Sequence, residues 1–258
     1  MFSLYHFIWL GISMALIGLC LWQLKIRKPA LKKVLTVACI GAAISELVKT
    51  FSMLHMIPSS DGSRMHLYME MQHLPLHLCS IQLLLIFYVR FASESKMRET
   101  ILAFMYPTCT IGAFLALLLP SIFPGSIQVT QAFTHPLGYQ FFLYHAMLVI
   151  LGLYIPISGE IALRWKHYYS TMGILAAMAI VSIYLNSMFA VPHYVDGELV
   201  SVDYSTNFFF TQRTPIGIPL VEKWHWYVYL AVIIMLAVVL IGLFFLPFRN
   251  KNRKEETV

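Results

Sequence analysis

Two histidines, a proline, a cysteine and a glutamine stand together at the start of one apolar segment, in the stretch His73-Leu-Pro-Leu-His77-Leu-Cys79-Ser-Ile-Gln82. Ionisable side chains are costly in hydrocarbon, so polar residues clustered where a chain enters a membrane predict a functional site. A cysteine becomes a nucleophile as its thiolate, and burial alone leaves it inert. Cys79 therefore needs a base nearby before it can do chemistry.

The base for Cys79 must come from another segment, because His77 points about 160° away from Cys79 on an ideal helix. Gln82, three residues further on, shares the face of Cys79 and is placed to orient it. Counted by depth along their segments, His145 and Asn186 lie at nearly the same level as Cys79. The three have the residue types of a nucleophile, its general base and an orienting or oxyanion group. A structural polar network between helices is the alternative.

A second pattern could bind a metal ion. His66, Glu70, His73 and His77 follow one another at intervals of four, three and four, which would form one polar stripe on a continuous helix. Histidine and carboxylate ligands on one face are typical of transition-metal sites, and a haem site is a related possibility. Pro75 favours a helix that starts near it, which would break the stripe. The predicted site therefore includes no metal, and the stripe is interpreted as a solvated interfacial segment.

The remaining polar residues of the apolar segments have plainer interpretations. Glu46 and Lys49 are neighbours on one helical face and predict an internal ion pair, with a role for Glu46 in a pocket as the alternative. Cys20, Cys39 and Cys109 are typical of small packing residues in membrane helices. Their spacing predicts neither a zinc knuckle nor a disulfide.

The amino-acid composition predicts which secondary-structure elements position these side chains. Of 258 residues, 59% are hydrophobic and 12% are charged, which excludes an ordinary soluble domain. The chain is predicted to be an all-α, polytopic membrane bundle in one domain, residues 1–248, followed by a basic tail, 249–258. Its outer pocket is expected to form mainly from spans 2, 3, 5, 6 and 7. The seven predicted spans are about 4–24, 33–56, 73–91, 98–120, 138–160, 168–190 and 225–246.

The basic residues predict the orientation of these spans. Most Lys and Arg residues follow the odd-numbered spans, namely at 25, 27, 28, 32, 33, 90, 96, 98, 164, 166, 249, 251, 253 and 254. By the positive-inside rule the N-terminus is extracytoplasmic and the C-terminus cytoplasmic. The net charge of +6 is therefore interpreted as topology. No nucleic-acid partner is expected, because the basic residues lie in short juxtamembrane clusters. The first span is interpreted as a retained anchor.

Three other sequence features shape the expected fold. The stretch 58–64 is rich in turn residues and is predicted to be an external loop. The longest loop, 191–224, contains an Asp196-Gly197 hairpin signal and the apolar run Asn207-Phe-Phe-Phe210. That loop is either a lid over the outer mouth or a partly ordered amphipathic segment. Pro107 predicts a kink within span 4.

Four short motifs resemble a known family. Leu74-Pro-Leu-His-Leu-Cys-Ser-Ile81, Phe141-Phe-Leu-Tyr-His145, Asn186-Ser-Met-Phe189 and Trp224-His-Trp-Tyr227 are similar to signatures of the YwaF-like bacterial integral membrane family. The resemblance extends from span 3 to span 7. Two motifs depart from the family pattern, because Ser187 replaces a tyrosine and His225 replaces a proline. The second departure bears on pocket shape and substrate.

The resemblance implies a function. Animal relatives of the family are transmembrane acyltransferases that remodel phospholipids, which implies a catalytic cysteine matching Cys79. A more distant resemblance to threonine/histidine membrane hydrolases implies His145 as its partner. The expected activity is acyl transfer or lipid hydrolysis at the outer leaflet of a bacterial cytoplasmic membrane, with a phospholipid or lysophospholipid as substrate and without a cofactor. The expected substrate-binding residues are Glu46, Lys49, His73, His77, Gln82, Trp224 and His225.

The rival interpretation is a transporter or sensor. Such a protein would use Glu46, Lys49 and the histidines as a proton or solute relay. In that case Cys79 would be dispensable and Glu46 would be essential.

Overall fold

A computed structural model describes residues 3–120 and 129–249. The described chain is mostly helical and carries two small β-hairpins. Its helices are α1 (Leu4–Arg27), α2 (Leu31–Met53), α3 (Leu78–Phe91), α4 (Lys96–Pro107), α5 (Ala113–Leu118), α6 (Pro136–Ser158), α7 (Lys166–Met188) and α8 (Lys223–Phe245). Its strands are β1 (His55–Pro58), β2 (Met65–Tyr68), β3 (Ala190–Val195) and β4 (Glu198–Tyr204). The predicted tail lies outside the described residues apart from Arg249, as does 121–128 of an inter-span loop.

Six helical segments are long and apolar enough to cross a membrane. These are α1, α2, the run Lys96–Leu118, α6, α7 and the run Lys223–Phe248. The prediction of a multi-pass membrane protein is therefore confirmed. The exception is the third predicted span, 73–91, where the helix begins only at Leu78 and has 14 residues. Its length is about 21 Å, which is short of the roughly 30 Å of bilayer hydrocarbon.

The late start of α3 has a local cause. Pro75 cannot donate a backbone hydrogen bond within a helix and clashes with a preceding helical turn. The preceding residues instead form a single 3₁₀ turn, Met71–His73, followed by extended backbone at Leu74 and His77. The residues of the predicted histidine stripe are thus divided between a strand, this turn and the residue that caps α3.

The predicted kink in span 4 is a π-helical turn. Helix α4 ends at Pro107, residues Thr108–Gly112 form the π turn, and α5 begins at Ala113. Hydroxyl groups satisfy carbonyls around the proline, because Thr108 Oγ1 donates to Phe104 O and Thr110 Oγ1 donates to Tyr106 O, at 2.7 and 2.6 Å. Such π turns occur mostly as single-turn bulges, frequently at functional sites.

Helix α6 is the centre of the bundle. It packs against α1, α2, α4, α5 and the π turn, and more than half of its membrane segment is buried. Gly152 allows the closest of these approaches: a methyl group there would lie 2.9 Å from both Thr110 N and Tyr106 O, and closer still to Thr110 Oγ1. The two elements can meet at this distance only because residue 152 has no side chain.

Both hairpins extend from the ends of membrane helices. Strands β1 and β2 pair on either side of the predicted 58–64 loop, directly after α2, and β3 and β4 pair directly after α7. Asp196 and Gly197 have φ values of 51° and 82°, the left-handed geometry that the Asp-Gly signal predicts. The expectation of an all-α protein was thus incomplete. The Asp-Gly signal predicts the β3–β4 hairpin, whereas no sequence signal predicts strands β1 and β2.

Candidate functional site

Cys79 lies in the first turn of α3. His77 is the N-terminal cap residue of that helix, and its side chain makes no capping hydrogen bond. In the described ranges, the backbone amides of Leu78, Cys79 and Ser80 have no hydrogen-bond acceptor. These amides carry the positive end of the helix dipole and suit an anionic oxygen. The candidate nucleophile therefore stands beside unused hydrogen-bond donors.

Helix α6 reaches Cys79 through Tyr144. The Tyr144 hydroxyl donates a 2.9 Å hydrogen bond to the backbone carbonyl of Cys79. This contact brings the Phe141-Phe-Leu-Tyr-His145 motif alongside the first turn of α3. Tyr144 is a contact that sequence reasoning missed, although it stands within a motif that had been singled out.

His145 follows Tyr144 and is buried. Its Nδ1 lies 2.7 Å from Phe141 O, and a carbonyl oxygen can only accept, so Nδ1 carries the proton. Nε2 is then the unprotonated nitrogen of the neutral ring. Nε2 has no hydrogen-bond partner within residues 3–120 and 129–249. The imidazole thus has the tautomer that a general base needs.

Cys79 and His145 are not hydrogen-bonded to each other. Among the described residues, the Cys79 thiol makes no hydrogen bond to any side chain. Catalytic contacts are often long without substrate and shorten when it binds. The predicted pair of Cys79 and His145 therefore stays a prediction, with α3 and α6 joined at this level by Tyr144.

Gln82 lies behind Cys79 and is fully buried. Its Nε2 donates to Thr108 Oγ1 at 3.0 Å, and its Oε1 accepts from the Cys109 thiol at 3.2 Å. Gln82 thus ties α3 to the π turn. Cys109, predicted as a packing residue, also takes part in this polar network.

Asn186 holds a turn of the long loop and does not face Cys79 directly. Asn186 Oδ1 accepts from Phe208 N at 2.9 Å, and its Nδ2 donates to Phe208 O at 3.0 Å and to Thr211 Oγ1 at 2.8 Å. Both ends of the side-chain amide are occupied. Asn186 therefore reaches the site only through Phe208, whose ring lies 5.1 Å from the ring of His77.

Helix α8 holds the same turn from the other side. Trp226 Nε1 donates to Thr211 O at 2.9 Å, and the Tyr229 hydroxyl donates to Phe210 O at 2.6 Å. Two predicted binding residues of α8 do not join this group. Trp224 is 60% exposed, and its ring lies 4.0 Å from the tilted ring of His225. The backbone and ring of His225 form a capping box with Glu222.

The turn held by these side chains is strained. Phe209 and Phe210 have φ values of 56° and 53°, in the left-handed region. For residues with a Cβ this conformation costs roughly 1–2 kcal/mol per residue. It persists only where the surroundings fix it.

The histidine cluster lies directly before α3. His77 Nε2 lies 3.3 Å from Gln72 O, and His73 Nε2 faces Glu70 Oε2 across 3.8 Å. In the part of the chain that the structure describes, no three His, Cys, Asp or Glu side chains are grouped to hold a metal ion.

A comparison with known protein families identifies the family of this chain. A family model described as the TMEM164 family matches residues 1–243. The chain belongs to the TMEM164 family. This is a family of membrane proteins, as the helices indicate, and the match extends from α1 into α8. No curated protein and no solved structure matches the chain.

In this member of the TMEM164 family, Glu46 and Lys49 form the predicted ion pair. Lys49 Nζ lies 2.7 Å from Glu46 Oε1, and both side chains are mostly shielded from solvent. The pair lies in the last two turns of α2, on the same side of the bundle as His73 and His77.

Proposed function

We propose that this TMEM164-family protein transfers acyl chains between membrane lipids through a thioester at Cys79. The observation that carries the proposal is the position of Cys79 in the uncapped first turn of α3, where Tyr144 joins it to the segment that carries His145. A nucleophile, a neutral imidazole and free backbone amides then occupy one region of a membrane helix bundle. The similarity of the motifs to relatives that remodel phospholipids also supports it.

The first half-reaction acylates the protein. His145 Nε2 takes the thiol proton, and the Cys79 sulfur attacks the carbonyl carbon of a phospholipid ester. A carbon–sulfur bond forms, and the tetrahedral intermediate collapses by breaking the carbon–oxygen bond to glycerol. His145 returns the proton to the departing oxygen, which leaves as a lysophospholipid hydroxyl.

The second half-reaction regenerates the thiol. The hydroxyl of another lysophospholipid gives its proton to His145 and attacks the thioester carbonyl. The new ester forms as the carbon–sulfur bond breaks, and the proton returns to sulfur. If water takes the place of the acceptor, the product is a free fatty acid and the protein acts as a lipase.

The oxyanion of each step needs hydrogen-bond donors. The expected donors to the oxyanion are Asn186 or backbone amides. Because both donors and acceptors of Asn186 are engaged with the Phe208 turn, the amides of Cys79 and Ser80 are the better candidates. Backbone donors fixed by a helix require little reorganisation when charge develops.

The expected orientation determines the acyl donor. If the loops rich in Lys and Arg are cytoplasmic, the first turn of α3 opens toward the outer leaflet. Cytosolic activated acyl groups such as acyl-CoA do not reach that leaflet. A phospholipid is then the donor, and a lysophospholipid is the acceptor.

The test is detection of the acyl intermediate. Purified protein is incubated with a phospholipid that bears a labelled acyl chain, in the absence of an acceptor, and its intact mass is measured. We expect one added acyl group, because a ping-pong enzyme accumulates its covalent form without acceptor. Hydroxylamine should remove the group, and Cys79→Ala should abolish it.

Cys39→Ala is the matched control, since Cys39 is a buried cysteine whose thiol donates only to the Ile86 carbonyl. That variant should acylate like the wild type. An adduct that forms only with acyl-CoA would contradict the orientation. The absence of an adduct with either donor would contradict acyl transfer itself.

A further inference from the structure

The turn Phe208–Thr211 covers the outer approach to Cys79. Phe208 is fully buried although it belongs to an external loop, and Thr206 and Thr211 beside it are buried as well. The residues that follow, from Arg213 to Val221, are largely exposed. The chain therefore dips into the bundle for one turn and leaves again.

The side chain of Phe208 rests on the entrance side of the candidate site. Its ring meets the His77 ring edge-on at 5.1 Å and the Phe189 ring at 6.4 Å. His77 caps α3 and stands two residues before Cys79. A molecule that approaches Cys79 along the start of α3 meets Phe208 first.

Within the turn, backbone hydrogen bonds join Phe210 N to Asn207 O and Thr211 N to Phe208 O, whereas its attachments to the neighbouring helices are made by side chains. Asn186 and Ser182 of α7 and Trp226 and Tyr229 of α8 supply its anchors to neighbouring helices. The left-handed backbone at two phenylalanines opposes this closed form, because either residue would relax to a common conformation once released. Backbone strain favours release of the turn, and a few hydrogen bonds to α7 and α8 oppose it. Such a balance allows two discrete states.

We propose that the Phe208–Thr211 turn is a gate over Cys79, and that Asn186, Trp226 and Tyr229 are its latch. In the closed state Phe208 limits both the rate and the size of what reaches the thiol. In the open state the latch hydrogen bonds are broken and the aromatic slot beside Phe189 is vacant. Three residues of the sequence motifs then control access to Cys79 and take no part in the reaction itself, namely Asn186, Phe189 and Trp226.

The test measures access to Cys79 and does not depend on acyl transfer. Purified full-length protein is alkylated with N-ethylmaleimide or with a bulky maleimide, and the rate at each cysteine is measured by peptide mass spectrometry. Phe208→Ala should raise the rate at Cys79 and reduce the preference for the small reagent. Phe210→Ala is the matched control, because Phe210 belongs to the same turn but is 37% exposed.

The latch has its own variants. Tyr229→Phe and Trp226→Phe each remove one donor, and a lost neutral hydrogen bond should raise the rate at Cys79 by about fivefold. Asn186→Leu removes three hydrogen bonds and should have a larger effect. Cys109, fully buried behind Gln82, reports on the bundle as a whole.

Each outcome bears on the gate. A higher rate at Cys79 with an unchanged rate at Cys109 supports it. If both cysteines react faster in Phe208→Ala, the variant has loosened the fold and the gate is wrong. Equal rates at Cys79 in Phe208→Ala and Phe210→Ala would also refute it. A working gate in a protein that forms no acyl adduct would leave the access role intact and overturn only the proposed chemistry.

Discussion

Replacing Gly152 by alanine should destabilise the bundle at its tightest crossing. The new methyl group would lie 2.9 Å from Thr110 N and from Tyr106 O, and these backbone atoms belong to the end of α4 and the π turn. Overpacking of this kind costs about 1–3 kcal/mol, because neighbouring backbone must shift. The Thr110 side chain is also in the way, so the two elements must separate.

The matched control is Gly173→Ala in α7, where the new methyl group meets no atom within 4 Å. Removing a glycine from a helix interior stabilises it by roughly 0.5–1 kcal/mol. The two substitutions are chemically identical, so their difference isolates the close approach. We expect Gly152→Ala to unfold several degrees below the wild type and Gly173→Ala at or above it.

The assay is thermal unfolding in one detergent, followed by far-ultraviolet circular dichroism. The double variant Gly152→Ala/Thr110→Ala should recover only part of the loss, because the backbone contacts remain. Separation of α6 from the π turn should also expose Cys109 to alkylation. If Gly152→Ala is as stable as Gly173→Ala, the packing argument for α6 is wrong.

Three further predictions test the site and its setting. Reporter fusions should place 58–64 and 195–215 outside and 92–97 inside, and an inside signal from 195–215 would overturn the outer-leaflet proposal. Cys79 should react with a lipid-like electrophile faster than Cys20, Cys39 or Cys109, and His145→Ala should slow it; equal rates in the wild type would reduce Cys79 to a packing residue. Glu46→Gln should retain activity while Cys79→Ser loses it, whereas a transporter or sensor would show the reverse.

The helices were predictable because hydrocarbon imposes a simple rule. A spanning segment needs about 20 apolar residues, and most predicted limits lie within about three residues of the observed ones. The third span differs because its predicted start is at 73, whereas α3 begins at Leu78. Pro75 favours a helix start near it, and the observed start is three residues further on.

The sequence indicates the residue types of the candidate site better than it indicates the contacts that those residues make. Depth and residue type select Asn186, yet its partners stand 22 and 25 residues away in the loop between α7 and α8. Trp224 is predicted as a binding residue and Trp226 is not, because α8 is apolar on every side and gives no signal for its inward face. Nothing in the spacing of residues identifies Tyr144 as a contact of Cys79. These are tertiary contacts, and the spacing of residues along the chain does not predict them.

The short α3 has a consequence for solvation. Arg90 hydrogen-bonds Thr36 near the start of α2 and marks the polar boundary at one end of α3. From there the helix rises only about 21 Å. If Arg90 lies at one membrane surface, the irregular backbone of 73–77 is within the thickness of the bilayer, where non-helical backbone is tolerated only if protein or water satisfies it. Under the proposed function, a lipid would then reach Cys79 with its acyl chain still in hydrocarbon and its head group still in water.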